Sequence, residues 1–137
     1  MNKERYNELA TQVVDTCFQV HKELGPGLLE SAYEYALLKE FELRNLLVQN
    51  QVPVKLFYKG FDTGKHYVID LLVEDEVVIE IKCCDVMPPV YTAQIISYLK
   101  LSQKRLGFLC IGSWRSSVEL RICSKHLSPD RRLARST

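Results

Sequence analysis

The sequence predicts an α/β fold of the α+β type, with a central mixed sheet of about four to five strands flanked by helices and preceded by a helical pair. Three observations support this fold. Apolar residues recur at helical spacing over residues 4–46, alternate in strand fashion from about residue 49, and return to helical spacing after Pro88-Pro89. The 137 residues, 47% of them hydrophobic and 26% charged, suit one domain with a real core.

The N-terminal pair is predicted from two apolar stripes that meet at a tight corner. Over residues 4–24 the stripe consists of Leu9, Val13, Cys17, Val20 and Leu24. Gly25-Pro26-Gly27 then ends the first helix, and a second helical pattern runs over residues 28–46.

Extended segments follow the helical pair. Val52, Val54, Leu56 and Tyr58 alternate with more polar residues, and turns are predicted at Lys59-Gly60 and Thr63-Gly64. Residues 66–73 and 77–83 are two apolar runs separated by Glu74-Asp75-Glu76. This spacing predicts a β-hairpin with a three-residue loop.

The last third of the chain predicts one helix and two closing strands. Pro88-Pro89 suits the first turn of a helix that extends to about residue 103, and residues 107–111 and 118–122 have strand character. We expect a single domain over residues 1–127 and a flexible basic tail over residues 128–137.

Composition narrows the function classes. The net charge is +1 and the pI about 7.6, so a nucleic-acid partner would have to be held by a local patch or a metal ion. The five cysteines lack paired spacing, which predicts reduced packing residues. No segment is predicted to be a signal peptide or to span a membrane, and we expect a cytoplasmic protein.

Charged residues inside the predicted hairpin are the main functional signal. A three-residue loop places Asp70 directly opposite Glu80, and Lys82 shares the face of Glu80. Opposed like charges destabilise a sheet, so a positive partner is needed. That partner is either a divalent cation or Lys82 itself in a buried ion-pair network, and a different loop length would separate the two acids.

Oxygen ligands of this type suit Mg²⁺ or Mn²⁺, which bind through one or two carboxylates and retain several waters.

Helical residues add to the pattern of candidate site residues. Glu30 lies at the start of the second helix, where it can turn toward the sheet or simply favour the helix terminus. Gln94 and Tyr98 are four residues apart and project from one face of the third helix.

The order of these residues carries a family resemblance. Asp70, then Glu80-Ile81-Lys82, then Gln94-Ile95-Ile96-Ser97-Tyr98 resembles the D…ExK…QxxxY order of the RecB-like branch of the PD-(D/E)XK nuclease superfamily. Leu24-Gly25-Pro26-Gly27-Leu28-Leu29-Glu30-Ser31-Ala32-Tyr33 further resembles the signature of the small GxxExxY proteins of that superfamily. The resemblance implies a restriction-endonuclease-like core.

The resemblance also implies roles for individual residues. Asp70 and Glu80 would bind the metal, helped by the Ile81 carbonyl, and Glu30 would correspond to the helical acidic residue that many such nucleases place beside the metal. Lys82 would orient the attacking water or stabilise phosphate charge. Gln94 and Tyr98 would support the site or contact the nucleic-acid backbone. The chain departs from the family at Tyr91 and Thr92, where histidine and glutamate are frequent.

The resulting expectation is a nuclease that uses Mg²⁺ or Mn²⁺ to hydrolyse phosphodiester bonds, with DNA preferred to RNA as substrate. The alternative is a catalytically silent nuclease-fold module that binds nucleic acid or a protein partner. The sequence does not predict the oligomeric state, the cleavage mode or the base preference.

Overall fold

The computed structural model describes residues 2–83, 88–112, 118–124 and 132–136, with side chains over 2–83 and 88–110. The predicted helical pair corresponds to α1, Lys3–Leu24, and α2, Glu30–Leu43, and the third helix is α3, Pro89–Ser102. None of these helices is both long enough and apolar enough to cross a membrane. The strands are β1 Val48–Tyr58, β2 Phe61–Val73, β3 Val77–Cys83, β4 Leu106–Gly112, β5 Val118–Ser124 and β6 Arg132–Ser136.

The six strands form one mixed sheet in the order β1-β2-β3-β4-β5-β6. β3 and β4 pair in parallel, and α3 supplies the crossover that a parallel pair requires. The other neighbours pair antiparallel. The predicted α/β fold, a mixed sheet flanked by helices with an N-terminal helical pair, is confirmed.

The sheet has one strand more than the largest number expected. The additional strand is β6, which pairs with β5 and lies within the segment predicted as a basic tail. The division of the chain into residues 1–127 and a tail of residues 128–137 stays a prediction.

The helical corner is held by one tyrosine. Tyr33 on α2 donates its hydroxyl hydrogen to the Gly25 carbonyl at 2.6 Å and accepts from the Leu28 N–H at 3.3 Å. Gly27 has a φ of 87°, which is accessible to glycine at little cost. The orientation of α2, and of Glu30 at its first position, is therefore set by this corner.

Two apolar cores cover opposite faces of the sheet. α1 and α2 pack over one face, where Phe41 meets Val77, Ile79, Ile81 and Phe108. α3 covers the other face, where Ile95 and Leu99 pack with Val78 and Leu72. Because β3 contributes alternately to both cores, Glu80, between Ile79 and Ile81, belongs to the α3 face.

The side-chain alternation of β1 and β2 reverses part-way along both strands. Leu71 packs under α1 and α2, whereas Ile69, two residues away, packs under α3. The register Asn50↔Leu71 and Val52↔Ile69 is continuous, so the reversal lies at Gln51 and Asp70 in both strands together. Gln51 has a φ of 53°, a left-handed conformation that is unusual for a non-glycine residue and accounts for the reversal.

Candidate functional site

The β2–β3 hairpin has the predicted three-residue loop. Val73 pairs with Val77, Leu72 with Val78 and Leu71 with Ile79. The regular ladder stops there, one residue before Asp70 and Glu80. Beyond Leu71 and Ile79 the two strands are joined by hydrogen bonds from the backbone to side chains instead of by backbone pairs.

Asp70 and Glu80 each bond to the other's strand. The Asp70 N–H donates to Glu80 Oε1 at 3.1 Å, and the Ile81 N–H donates to Asp70 Oδ2 at 2.9 Å. The two carboxyl groups thus lie in the gap between β2 and β3, where backbone carbonyls would normally accept these hydrogens. The reversal at Gln51 and Asp70 opens this gap by turning Asp70 out of the regular alternation.

The environment of Glu80 strongly disfavours its charge. Its residue is 4% exposed, and burial raises the pKa of the Glu80 carboxyl to about 8, with the nearby Asp70 charge and side chain as further causes. The hydrogen bond from the Asp70 backbone and the charge of Lys82 oppose this rise in pKa without cancelling it. Near neutral pH the Glu80 carboxyl therefore retains its proton unless a cation replaces it.

Lys82 takes a partner that the sequence reasoning missed. Its ammonium lies 4.7 Å from the centroid of the Tyr91 ring on α3, a cation–π geometry. Within the part of the chain whose side chains are described, no ion pair joins Lys82 to Asp70 or Glu80. The ion-pair network left open by the sequence is therefore not formed among these residues.

Glu30 approaches the end of β3 from the helical side. Its Oε1 accepts from the Cys83 N–H at 3.2 Å. Glu30 and Asp70 line one open cleft of about 270 Å³ between α2 and the sheet. The other lining residues are Ser31, Glu34, Gln51 and Ile81.

Gln51 is a cleft residue that belongs to a sequence hallmark of the GxxExxY resemblance, Gln51-Val52-Pro53, but to which the sequence assigned no role. Its Nε2 donates to Glu34 Oε1, which joins β1 to α2 across the cleft. Its left-handed backbone conformation is a strained feature of the type that clusters at functional sites. In the sequence, Tyr91 is conspicuous only because it departs from the residue that is frequent at this place in the family.

Gln94 and Tyr98 lie on the partly buried side of α3, as their spacing predicts. Tyr98 packs on Tyr67 of β2, with ring centroids 5.3 Å apart. Burial raises the pKa of the Tyr98 hydroxyl, and the charges of Glu80 and Asp70 raise it further. Gln94 makes no hydrogen bond to the side chains that the structure describes.

The carboxylate oxygens of the site are suited to a hard divalent cation, but few of them lie close together. Among the described residues, no three His, Cys, Asp or Glu side chains are grouped closely enough to hold a metal ion together. Two carboxylates are, however, sufficient for Mg²⁺, which retains water and takes substrate phosphate as further ligands. The raised pKa of Glu80 gives a physical reason for a cation, since a bound ion would replace the proton.

Comparison with known proteins decides the family. The sequence profile of the PD-(D/E)XK nuclease superfamily matches residues 7–117, which include both hairpin acids and all three helices except the first residues of α1. The chain belongs to the PD-(D/E)XK nuclease superfamily. This superfamily consists in general of metal-dependent nucleases, and the chain has its fold.

A solved structure agrees with the fold of this PD-(D/E)XK chain. The crystal structure of SSO0001 superposes with a TM-score of 0.53 at 18% sequence identity over 91% of the chain. The chain spans 62% of the length of SSO0001. No protein in the curated collection matches the sequence significantly.

Proposed function

We propose that the chain is a metal-dependent nuclease that hydrolyses phosphodiester bonds, with DNA as the preferred substrate and Mg²⁺ or Mn²⁺ as the cofactor. The observation that supports this proposal most directly is the pair of carboxyl groups, Asp70 and Glu80, inserted between two strands. Holding two acids this close costs free energy in the absence of a cation. Such a cost is typical of a site built for a ligand.

In this proposal Asp70 and Glu80 bind the ion, with the Ile81 carbonyl as an additional ligand, and Glu30 lies beside the ion. A bound divalent ion would supply a more acidic water and neutralise developing phosphoryl charge. Glu30 also accepts from the Cys83 N–H, so it fixes the end of β3 against α2. The cleft shared by Glu30 and Asp70 is the place where a phosphate group would approach.

Lys82 supplies the positive side chain of the proposed site. Its ammonium would stabilise negative charge on the phosphate that is attacked, a contribution that depends on a fixed position. The ring of Tyr91 restrains that position by its 4.7 Å contact. Gln94 and Tyr98 would line the α3 side of the substrate path, where they support the acids or contact the nucleic-acid backbone.

The likeness to the GxxExxY proteins belongs to the same proposal. Gly27, Glu30 and Tyr33 are the three residues of that spacing in this chain. Gly27 and Tyr33 lie at the corner, which orients α2, and Glu30 on α2 reaches the end of β3. In this motif Gly27 and Tyr33 would therefore serve to position Glu30.

The test is cleavage of single-stranded DNA, duplex DNA and RNA by the purified chain with Mg²⁺ or Mn²⁺. We expect Asp70→Asn and Lys82→Ala to reduce the cleavage rate by about 10²-fold or more, because the first removes a ligand of the proposed ion and the second removes the positive charge aimed at the reacting phosphate. Glu42→Gln, an exposed substitution on α2, is the matched control and should cleave normally. Absence of cleavage of all three substrates, or normal rates for both variants, refutes the proposal.

Metal binding is measured separately by calorimetric titration with Mn²⁺. We expect uptake by the wild-type chain and by Glu42→Gln, and no uptake by Asp70→Asn. A nuclease-fold module without catalytic function would bind no Mn²⁺ at this site. We also propose a cytoplasmic location and nucleic acid as the macromolecular partner.

A further inference from the structure

The outer part of the β1–β2 hairpin carries an unusual surface. Residues 55–67, called here the hairpin arm, form the end of the hairpin, and every one of them except Leu56 is exposed. Four of the exposed residues are aromatic. Phe57, Tyr58, Phe61 and Tyr67 are 55%, 65%, 75% and 41% exposed, respectively. Clustered exposed rings on a soluble domain usually mark a binding surface.

The charge of the hairpin arm indicates which class of molecule binds to it. Lys55, Lys59 and Lys65 are interleaved with the rings, and Asp62 is the arm's single acid. Asp62 is already engaged, since its Oδ1 accepts from the Gly64 N–H at 2.9 Å and its Oδ2 lies 4.0 Å from the Lys55 ammonium. The arm therefore offers aromatic faces together with uncompensated positive charge, which suits stacked bases on a phosphate backbone.

The backbone of the arm has a defined conformation, so its binding surface is formed before a partner binds. Lys59 and Gly60 have φ values of 47° and 81°, the two-residue turn that matches strand twist. This turn places Tyr58 and Phe61 directly opposite each other. Below them the Thr63 hydroxyl donates to the Leu56 carbonyl at 2.7 Å, which fixes the irregularity between Lys55 and Phe57.

The rings of the arm continue to the candidate site. Tyr67 contacts Tyr98 on α3, the helix that covers the face of the sheet to which Glu80 belongs. Tyr67 pairs with Val54, four residues before Tyr58, so the rings at the tip lie roughly 13 Å farther along the strands. A nucleic-acid strand that passes the acidic pair could therefore extend along the arm toward its tip.

We propose that the hairpin arm binds single-stranded nucleic acid beside the candidate site. Bases stack on Tyr67 and on the Tyr58–Phe61 pair, and Lys59 and Lys65 contact phosphates. The inference rests on the proposed function for the identity of the polymer. A second copy of the chain fits the arm less well, because each copy would bring three lysines against the other's three.

The experiment measures binding without cleavage, in EDTA, by fluorescence anisotropy of labelled (dT)20, (rU)20 and a 20-base-pair DNA duplex. The test variant is Tyr58→Ser/Phe61→Ser, and the matched control is Tyr35→Ser. Tyr35 is 63% exposed on α2 and has the Lys39 ammonium 5.7 Å from its ring, much as Lys59 lies 5.6 Å from Tyr58. The control thus removes an equivalent exposed ring outside the arm.

We expect both single strands to bind more tightly than the duplex, and the test variant to weaken single-strand binding about tenfold or more. Tyr35→Ser should bind as the wild type does. A second variant, Lys59→Gln/Lys65→Gln, should weaken binding and reduce its dependence on salt. Unfolding curves establish that every variant is folded.

Three outcomes overturn the proposal: equal binding by the wild type and both arm variants, equal affinity for the duplex, or equal loss with Tyr35→Ser. Sedimentation that shows the test variant converting a dimer to a monomer also overturns it in favour of self-association. These outcomes are independent of the nuclease proposal. An inactive chain whose arm variants lose single-strand binding would refute the nuclease proposal alone.

Discussion

At the scale of single residues, the acidic pair sets the pH dependence of stability. The folded-state pKa of Glu80, about 8, lies above its ordinary value of 4.5. Between these values the folded chain keeps a proton that the unfolded chain has released. The contribution of Glu80 to the free energy of unfolding is therefore fully present below about pH 4.5 and is lost as the pH rises through 8.

We expect Glu80→Gln to remove this dependence, because the amide keeps the shape of the side chain and cannot ionise. Across the window the loss in the wild type should reach a few kcal/mol, at most about 4–5 kcal/mol. Urea unfolding at pH 5, 6.5 and 8 measures it, with Glu42→Gln as the control. Parallel pH profiles for the wild type and Glu80→Gln would contradict the assignment.

Tyr91 is the second residue-scale prediction. Its ring restrains the Lys82 ammonium, so Tyr91→Leu should slow single-turnover cleavage several-fold, in line with a cation–π contribution of about 0.5–2 kcal/mol. Tyr91→Phe keeps the ring face and should retain the wild-type rate. Equal rates in both variants would show that the ring does not position Lys82.

The sequence predicted that Asp70 and Glu80 lie close together, because a strand period of two and a short loop determine which residues oppose each other. It did not predict that Asp70 lines the cleft beside α2 while Glu80, between Ile79 and Ile81, belongs to the α3 face. It could not predict how those side chains bond. The hydrogen bonds of Asp70 and Glu80 with the opposite strand occur where the alternation of β1 and β2 reverses, beside the left-handed Gln51, which lies 19 residues upstream of Asp70 in the chain. The ring partner of Lys82 likewise depends on where α3 packs.

At the scale of elements, the corner between α1 and α2 controls how Glu30 reaches the sheet. Tyr33→Phe removes two hydrogen bonds and should lower the free energy of unfolding by about 1–3 kcal/mol. It should also reduce cleavage, because α2 carries Glu30. Tyr35→Phe on the exposed side of α2 should change stability by less than about 0.5 kcal/mol. Denaturant unfolding of the two variants measures the difference.

The close approach of α3 to β4 gives a further element-scale prediction. A Cβ on Gly107 would lie 3.0 Å from Ile95 Cδ1 and 3.2 Å from Ile95 Cγ1. Gly107→Ala should therefore destabilise the fold by about 1–3 kcal/mol. Ile95→Val deletes the nearer atom, so the double variant should lose less than the sum of the single losses. A strictly additive cycle would show that α3 moves away at little cost.

The helices and strands were predictable from the sequence where the periodicity of apolar residues and the positions of Gly and Pro indicated the same boundaries. α1 and α2 follow their apolar stripes, and the Gly-Pro-Gly corner separates them. The Thr63-Gly64 turn was misplaced, because β2 begins at Phe61 and these residues form an irregularity inside it. Side-chain bonding by Thr63 and Asp62 creates that irregularity, and a residue pattern alone does not distinguish it from a turn.

At the scale of the whole molecule, cation binding should stabilise the fold. Mn²⁺ that binds only the folded chain at about one hundred times its dissociation constant contributes about 2.7 kcal/mol. For a domain of this size the melting temperature should rise by about 8–10 °C. The rise should be larger at pH 8 than at pH 5.5, since protons no longer compete for Glu80. Thermal unfolding measures it, and an equal rise in Asp70→Asn would contradict a site at the hairpin.

The overall topology was only partly predictable. Alternating helical and extended segments indicate the fold class, but the order of strands in the sheet depends on long-range pairing. The parallel pairing of β3 with β4 brings Glu80 beside Leu109, a neighbour that no local pattern specifies. β6 adds a strand in a segment whose basic composition favoured a tail.

The hairpin around residues 74–76 also bears on the order of folding events. Bonds between positions 70 and 80–81 close a short loop and can form within microseconds, whereas the β3–β4 pairing must wait for the α3 crossover. We expect the acids to be brought together early in water and to lose their hydration only when the crossover docks. Anything that neutralises Glu80, whether a proton or an ion, should therefore speed the late step of refolding.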